Sequence, residues 1–154
     1  MVGGTLYLLI KYLHIVLMVF AVGFNFSYVV WTLRGEKDPT HLAFALKGVK
    51  FIDDYLANPC YIGVAITGFA MVAMGKKILP FLWLAIALYA VAMVVAYVIY
   101  TPLLRRQLQT LEADGPDSQA YKTLSKRSSM VGASMGGLVL IILVLKVLKP
   151  SLHF

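Results

Sequence analysis

The stretch KYLHIVLMVFAVGFNFSYVVWTL, Lys11 to Leu33, decides the fold. It is almost wholly apolar, and at 1.5 Å per residue it can cross a hydrocarbon core of about 30 Å. One titratable ring, His14, sits inside it, and a titratable ring placed in hydrocarbon needs a partner or a purpose. Three more apolar runs follow, Pro59 to Gly75, Leu79 to Leu104 and Met130 to Leu148. Together they predict an all-α, four-helix transmembrane bundle forming a single integral membrane domain over residues 1–154. The spans are expected at about residues 6–33, 57–75, 79–104 and 128–148.

Composition agrees with that reading. The hydrophobic share is 60% and the mean hydropathy is +0.82, whereas an ordinary soluble domain is about half apolar. The longest polar connection, Arg105 to Ser129, has the length of a helical hairpin and leaves no room for a soluble domain. The N-terminus lacks the form of a cleavable signal, because Lys11 follows Leu6 to Ile10 instead of preceding them and no A-x-A-like site comes after. The first span is therefore expected to be retained. A single cysteine, Cys60, excludes an intrachain disulfide and a cysteine cluster for zinc or iron–sulfur.

The net charge of +7 would suggest nucleic acid in a soluble protein. Here the basic residues flank the spans, which fits headgroup anchoring to the lipid bilayer and no nucleic acid partner. Arg34, Lys37, Lys47, Lys50, Arg105, Arg106, Lys122, Lys126 and Arg127 fall on one side, against Lys11, Lys76, Lys77, Lys146 and Lys149 on the other. The positive-inside rule makes the first and third connections cytoplasmic and turns both termini to the non-cytoplasmic side.

Asp38 before Pro39 reads as an N-cap with proline at the first helical position. The helix it opens, at about residues 39–54, carries Leu42, Ala45, Leu46, Val49 and Ile52 on one face and suits the cytoplasmic interface, with Asp53 and Asp54 flanking the next span. At Asn58 and Pro59 proline either starts a new helix or kinks a continuous one. Gly75, Lys76 and Lys77 end the second span and Pro80 opens the third, so these two helices are antiparallel neighbours. Pro102 bends the third span, Leu103 to Glu112 continue it, and the segment from Ala113 to Pro116 breaks it. Asp117 or Ser118 caps the last helix.

On the first span, three- and four-residue spacing sets Lys11, His14, Met18, Ala21, Asn25, Tyr28 and Thr32 along one stripe. Val16, Val19, Phe20, Phe26 and Val30 lie opposite. A lipid-facing His or Asn would lack hydrogen-bond partners, so the polar stripe is expected to turn toward the other helices. The third span offers Tyr89, Met93, Tyr97 and Tyr100 at similar spacing. The fourth carries Gly132 and Gly136, with Ser129, Ala133 and Gly137 beside them, and the second carries Gly63, Thr67 and Gly68.

These small-residue patches read first as helix packing surfaces and, more sharply, as a cofactor slot. Neutral imidazole ligates haem iron or copper, which makes His14 the candidate metal ligand. Met18, Tyr89 or Met93 could stand near it, Asn25 shares its stripe, and Lys11 either snorkels to headgroups or meets a porphyrin propionate. His41 and His153 lie outside the spans and cannot easily reach His14. The adjacent Asp53 and Asp54 point about 100° apart on a helix and form no catalytic pair. No G-x-S-x-G, P-loop or H-E-x-x-H pattern is present, so enzymatic activity is not expected.

The segment KYLHIVLMVFAVG, Lys11 to Gly23, resembles the opening helix of the domain-of-unknown-function 2269 family of four-span bacterial integral membrane proteins. DDYLANP through ITGFA, Asp53 to Ala70, the tryptophan-led third span ending TPLLRR, and the closing VLKVLKP resemble it too. That resemblance implies a multi-pass protein of the bacterial cytoplasmic, or inner, membrane. More distantly the family is similar to CopD-type copper-resistance and HemJ-type protoporphyrinogen oxidase proteins, which share a lysine-x-x-histidine opening helix. The third span has no lysine inside its apolar run, a departure from the HemJ pattern. The distant resemblance therefore implies a haem b or metal site at His14 and not the oxidase activity.

Two readings leave the sequence. One is a membrane redox or haem-binding protein with His14 as axial ligand, or a copper-handling variant of it. The other is a non-enzymatic membrane subunit, in which Gly132 and Gly136, with Gly63, pack against a second copy or a partner protein. A transporter would need several copies to enclose a path.

Overall fold

In the computed structural model, which describes residues 2–75 and 79–148, the chain forms four long helices. Helix α1 spans Val2–Lys37, α2 Pro39–Ala73, α3 Pro80–Asp114 and α4 Gln119–Leu148, and each is long and apolar enough to cross a membrane. Lys76, Lys77, Lys149 and His153, to which the sequence assigned outer-side positions, lie outside the described residues.

At 1.5 Å per residue, the 35 residues of α2 and of α3 run about 50 Å, well beyond a hydrocarbon core of about 30 Å. The excess gathers at one end. There Lys47 of α2 pairs with Glu112 of α3 at 2.8 Å, and Ser125 of α4 donates to Glu36 of α1 at 3.4 Å. The first and third connections thus share the basic end of the bundle. In the amphipathic stretch Leu42, Ala45, Leu46 and Val49 are buried, because this stretch continues the second span as one rod between α1 and α3.

Proline explains how α2 and α3 remain single rods. Pro59 and Pro102 each lack an N–H, and the ring of each would collide with the carbonyl four residues before it. Both helices relieve this just upstream with a π-helical turn, at Asp53–Ala57 and Val95–Tyr100. The Asn58 N–H reaches back five residues to the Asp53 carbonyl, and the Thr101 N–H to that of Ala96. Each turn adds one residue to the local helical repeat.

Local caps set the connections. Asp38, in extended backbone, accepts the Thr40 N–H at 3.1 Å ahead of Pro39. The His41 ring, 2.7 Å away, holds the Asp38 carboxyl below its ordinary value, helped by the Thr40 N–H. Because the folded value is the depressed one, this contact supports the fold above the ordinary carboxylate range and fades as pH falls through that range. Ser118 accepts the Tyr121 N–H at 3.2 Å and is the cap of α4. Gly115 ends α3 at φ +80°, a conformation that costs glycine little.

The helices pack in chain order, α1 on α2, α2 on α3 and α3 on α4. A tight approach lies at the first connection, where a Cβ on Gly35 would fall 2.8 Å from Ala45 Cβ and 3.1 Å from Leu42 Cδ1. Gly35→Ala should therefore destabilise the protein by about 1–3 kcal/mol, the usual cost of overpacking. Gly136→Ala, whose Cβ would meet nothing within 4 Å, should melt with the wild type. Paired thermal unfolding in detergent checks both.

Candidate functional site

The polar side chains of the spans meet in three layers. In the first, near the start of α1, His14 Nδ1 lies 2.9 Å from Thr67 Oγ1 of α2. The Thr67 hydroxyl has a single hydrogen and donates it to the Gly63 carbonyl at 2.7 Å, with the Val64 carbonyl at 3.2 Å. Thr67 then accepts from His14, so the ring carries a proton on Nδ1. Gly68 lets the ring lie against α2, since a Cβ there would stand 3.4 Å from His14 Cε1.

The second layer centres on Tyr61 of α2. Asn25 Nδ2 donates to its hydroxyl, and that hydroxyl lies 3.5 Å from the Ala21 carbonyl of α1. Tyr89 of α3 donates to the Tyr61 carbonyl at 2.5 Å. Met93, one turn on, packs against the same core.

The third layer is the π turns themselves. Asp53, only 4% exposed, accepts the Tyr28 hydroxyl of α1 at 3.3 Å and the Thr101 hydroxyl of α3 at 2.8 Å. Tyr97 donates to the Asn58 carbonyl at 3.3 Å, and the rings of Tyr28 and Tyr100 stack with centroids 6.4 Å apart. Sequence reasoning placed Asp53 with Asp54 at the membrane edge. Only Asp54 is exposed, where it pairs with Lys50. The available signal was Pro59, since a proline inside an otherwise helical pattern marks a register shift upstream.

Beside this third layer, α1 and α4 part. A cavity of about 360 Å³ opens between them, reached by Asn25, Tyr28 and Tyr61 on one side and by Gly132 and Gly136 on the other. The structure therefore brings Asn25, Gly132 and Gly136 to one space, while Asn25 and Tyr89 meet through Tyr61. His14 stands apart on Thr67, and Gly63 receives the side chain of Leu17, 2.8 Å from where its Cβ would be. Met18 is half-buried on the stripe of His14, and Lys11 is exposed toward the start of α1.

As a donor set for a cofactor, the His14 layer offers one oriented imidazole. Among the described residues, no group of three His, Cys, Asp or Glu side chains could hold a metal ion. A haem iron takes a single protein imidazole as its proximal ligand in several haem proteins, so the layer fits that minimum requirement.

The chain belongs to a family described as predicted integral membrane protein (DUF2269), whose model matches residues 8–150. Comparison with curated proteins and with solved structures found no match.

The Asp53 layer makes a direct prediction. Asp53→Leu leaves the Tyr28 and Thr101 hydroxyls without an acceptor, at about 1–3 kcal/mol for each. Asp53→Asn keeps one carbonyl oxygen and should lose less. Chemical unfolding in mixed micelles should rank wild type above Asn and Asn above Leu.

Proposed function

We propose that this multi-pass integral membrane protein is a redox or haem-binding component of the bacterial inner membrane, with His14 as axial ligand to haem b. The observation that carries this reading is the Thr67 hydroxyl. By donating to the Gly63 carbonyl it fixes His14 with its proton on Nδ1, the same arrangement by which a second partner orients a metal-bound imidazole. The chain's own contribution is to hold the ring against Gly68 and to fix its Nδ1 on Thr67. Bound haem would supply one-electron chemistry. Copper at the same nitrogen, with Met18 sulfur nearby, is the variant of this reading for a softer metal.

Protein purified from haem-replete cells should show a Soret band that shifts on reduction. His14→Ala should abolish the band, and Thr67→Val should weaken or shift it, because the ring loses its orienting acceptor. A colourless preparation with no bound metal, or a band unchanged in His14→Ala, overturns the reading.

The basic end is assigned to the cytoplasm and both termini to the opposite side, supported by Arg34, Lys37, Lys47, Lys122 and Lys126 near the shared first and third connections. Asp117, whose side chain is fully exposed there, gives a probe. In a Cys60→Ser background, Asp117→Cys should react with an impermeant maleimide only after cells are opened.

A second reading, a non-enzymatic membrane subunit, is favoured by Gly136, where a Cβ would meet nothing within 4 Å. Under that reading a helix of a second copy or of a partner covers the small-residue face of α4, and His14 is a hydrogen-bonding residue only.

A further inference from the structure

Asp53 brings an ionisable group into the bundle that the His14 layer does not use. It is 4% exposed and shares the wall of the cleft between α1 and α4 with Leu46, Ala96 and Leu104. Among the described residues it has no ion pair, since Lys50, three residues earlier on its own helix, is paired with Asp54. A charge held in such surroundings without a counter-ion is costly, and a proton is the smallest ligand that cancels it.

The two hydrogen bonds of Asp53 do not by themselves call for a carboxyl. Tyr28 of α1 and Thr101 of α3 both donate to it, and the two lone pairs of one neutral carbonyl oxygen are enough for two hydroxyls. What a carboxyl adds at this position is a proton that can come and go. The titratable groups around it are Tyr28 on α1, Lys50, Asp54 and Tyr61 on α2, and Tyr97 and Tyr100 on α3, while α4 borders the cleft with Ser128 and Ser129. Asp54 is exposed and paired with Lys50, which leaves Asp53 as the buried carboxyl of the layer.

Polar side chains lead to it from one side. Tyr28, Thr32 and Glu36, one turn apart on α1, line the cleft from Asp53 toward the basic end. Glu36 and Ser129 also line a surface cavity of about 410 Å³ at that end, together with Asp117, Lys122 and Lys126. In the other direction the lining passes Asn25 and continues with Val22, Val139 and Leu140.

We propose that Asp53 is a proton-binding site, loaded and unloaded from the basic end of the bundle along the cleft. In the loading step a hydronium ion gives its proton to one Asp53 oxygen, so an O–H bond forms, a water molecule is left and the carboxylate charge is cancelled. Because Asp53 joins α2 to Tyr28 of α1 and Thr101 of α3, the change of charge falls where three helices are tied together. Neither His14 nor a cofactor takes part, so the assignment is independent of the haem reading.

The test labels the full-length protein in sealed right-side-out and inverted membrane vesicles with dicyclohexylcarbodiimide, a membrane-permeant reagent that adds to protonated carboxyls in apolar surroundings. With both faces acidic, peptide mass analysis should place one adduct, on Asp53. Asp53→Asn should lose it, and Asp54→Asn should keep it. Raising the pH on the face where Asp117→Cys reacts with maleimide should slow labelling, by about tenfold for each further unit once the proton is lost. Raising it on the opposite face should leave the rate unchanged. The adduct is mapped on the wild-type chain, so the result stands even if Asp53→Asn fails to fold.

An adduct on Glu36 or Asp54 in place of Asp53, or a rate that follows the pH of the opposite face, overturns the proposal. So does the absence of any adduct, or labelling indifferent to pH on both faces, which is the behaviour of a carboxylate that serves only as a fixed hydrogen-bond acceptor.

Discussion

Hydrocarbon offers no hydrogen bonds, and that constraint organises the interior of this bundle. Ser27 turns its hydroxyl back to the Phe24 carbonyl of its own helix, and the longer polar side chains that α1 carries into the membrane find partners on another helix. His14 finds Thr67, Asn25 finds Tyr61, and Tyr28 finds Asp53, which also takes Thr101. These bonds fix the rotation of α1 about its axis. They also leave Val19, Phe20, Phe26 and Val30 turned outward, each more than half exposed to lipid. Apolar packing alone would not choose this rotation, because lipid tails solvate leucine and valine as well as another helix does.

The same constraint acts on the backbone at Pro59 and Pro102. A missing N–H inside a spanning helix perturbs the ladder, and just before each proline the helix shifts to π bonds, from the Asn58 N–H to the Asp53 carbonyl and from the Thr101 N–H to that of Ala96. The two turns face each other across the bundle, joined by Thr101 to Asp53 and by Tyr97 to the Asn58 carbonyl. Tyrosine supplies the reach. Its hydroxyl stands far from its own backbone, so Tyr89 and Tyr97 satisfy carbonyls of α2 while holding α3 at a distance.

The inward stripe of α1 was legible because one uninterrupted 3.6-residue period carries it from His14 to Thr32. The Asp38 cap was legible because capping depends on neighbours in sequence. Asp53 was not. It stands four residues after Val49 and seven after Leu46, on the same buried face, but the hydroxyls that make burial of its carboxylate tolerable come from Tyr28 and Thr101 on other helices, which the local sequence does not show. What the apolar face of the amphipathic stretch before it packs against was also hidden. Its apolar face is equally suited to a membrane surface and to a bundle interior, and only the partners Leu104 and Leu111 on α3, buried in the same core, distinguish the two. The separation of α1 from α4 was likewise out of reach, since small residues promise close approach and here leave a gap.

His14 and the cleft occupy different depths. Eleven residues of α1 separate His14 from Asn25, which at 1.5 Å per residue is about 16 Å. The Tyr61 layer, to which Asn25 and Tyr89 are bonded, borders the cleft. A substitution at His14 removes a contact to Thr67 and leaves the cleft walls in place, while a substitution at Gly136 changes a surface that the imidazole does not touch. One face of α1 thus contributes to two places, the His14 contact with Thr67 and the cleft where α1 and α4 diverge.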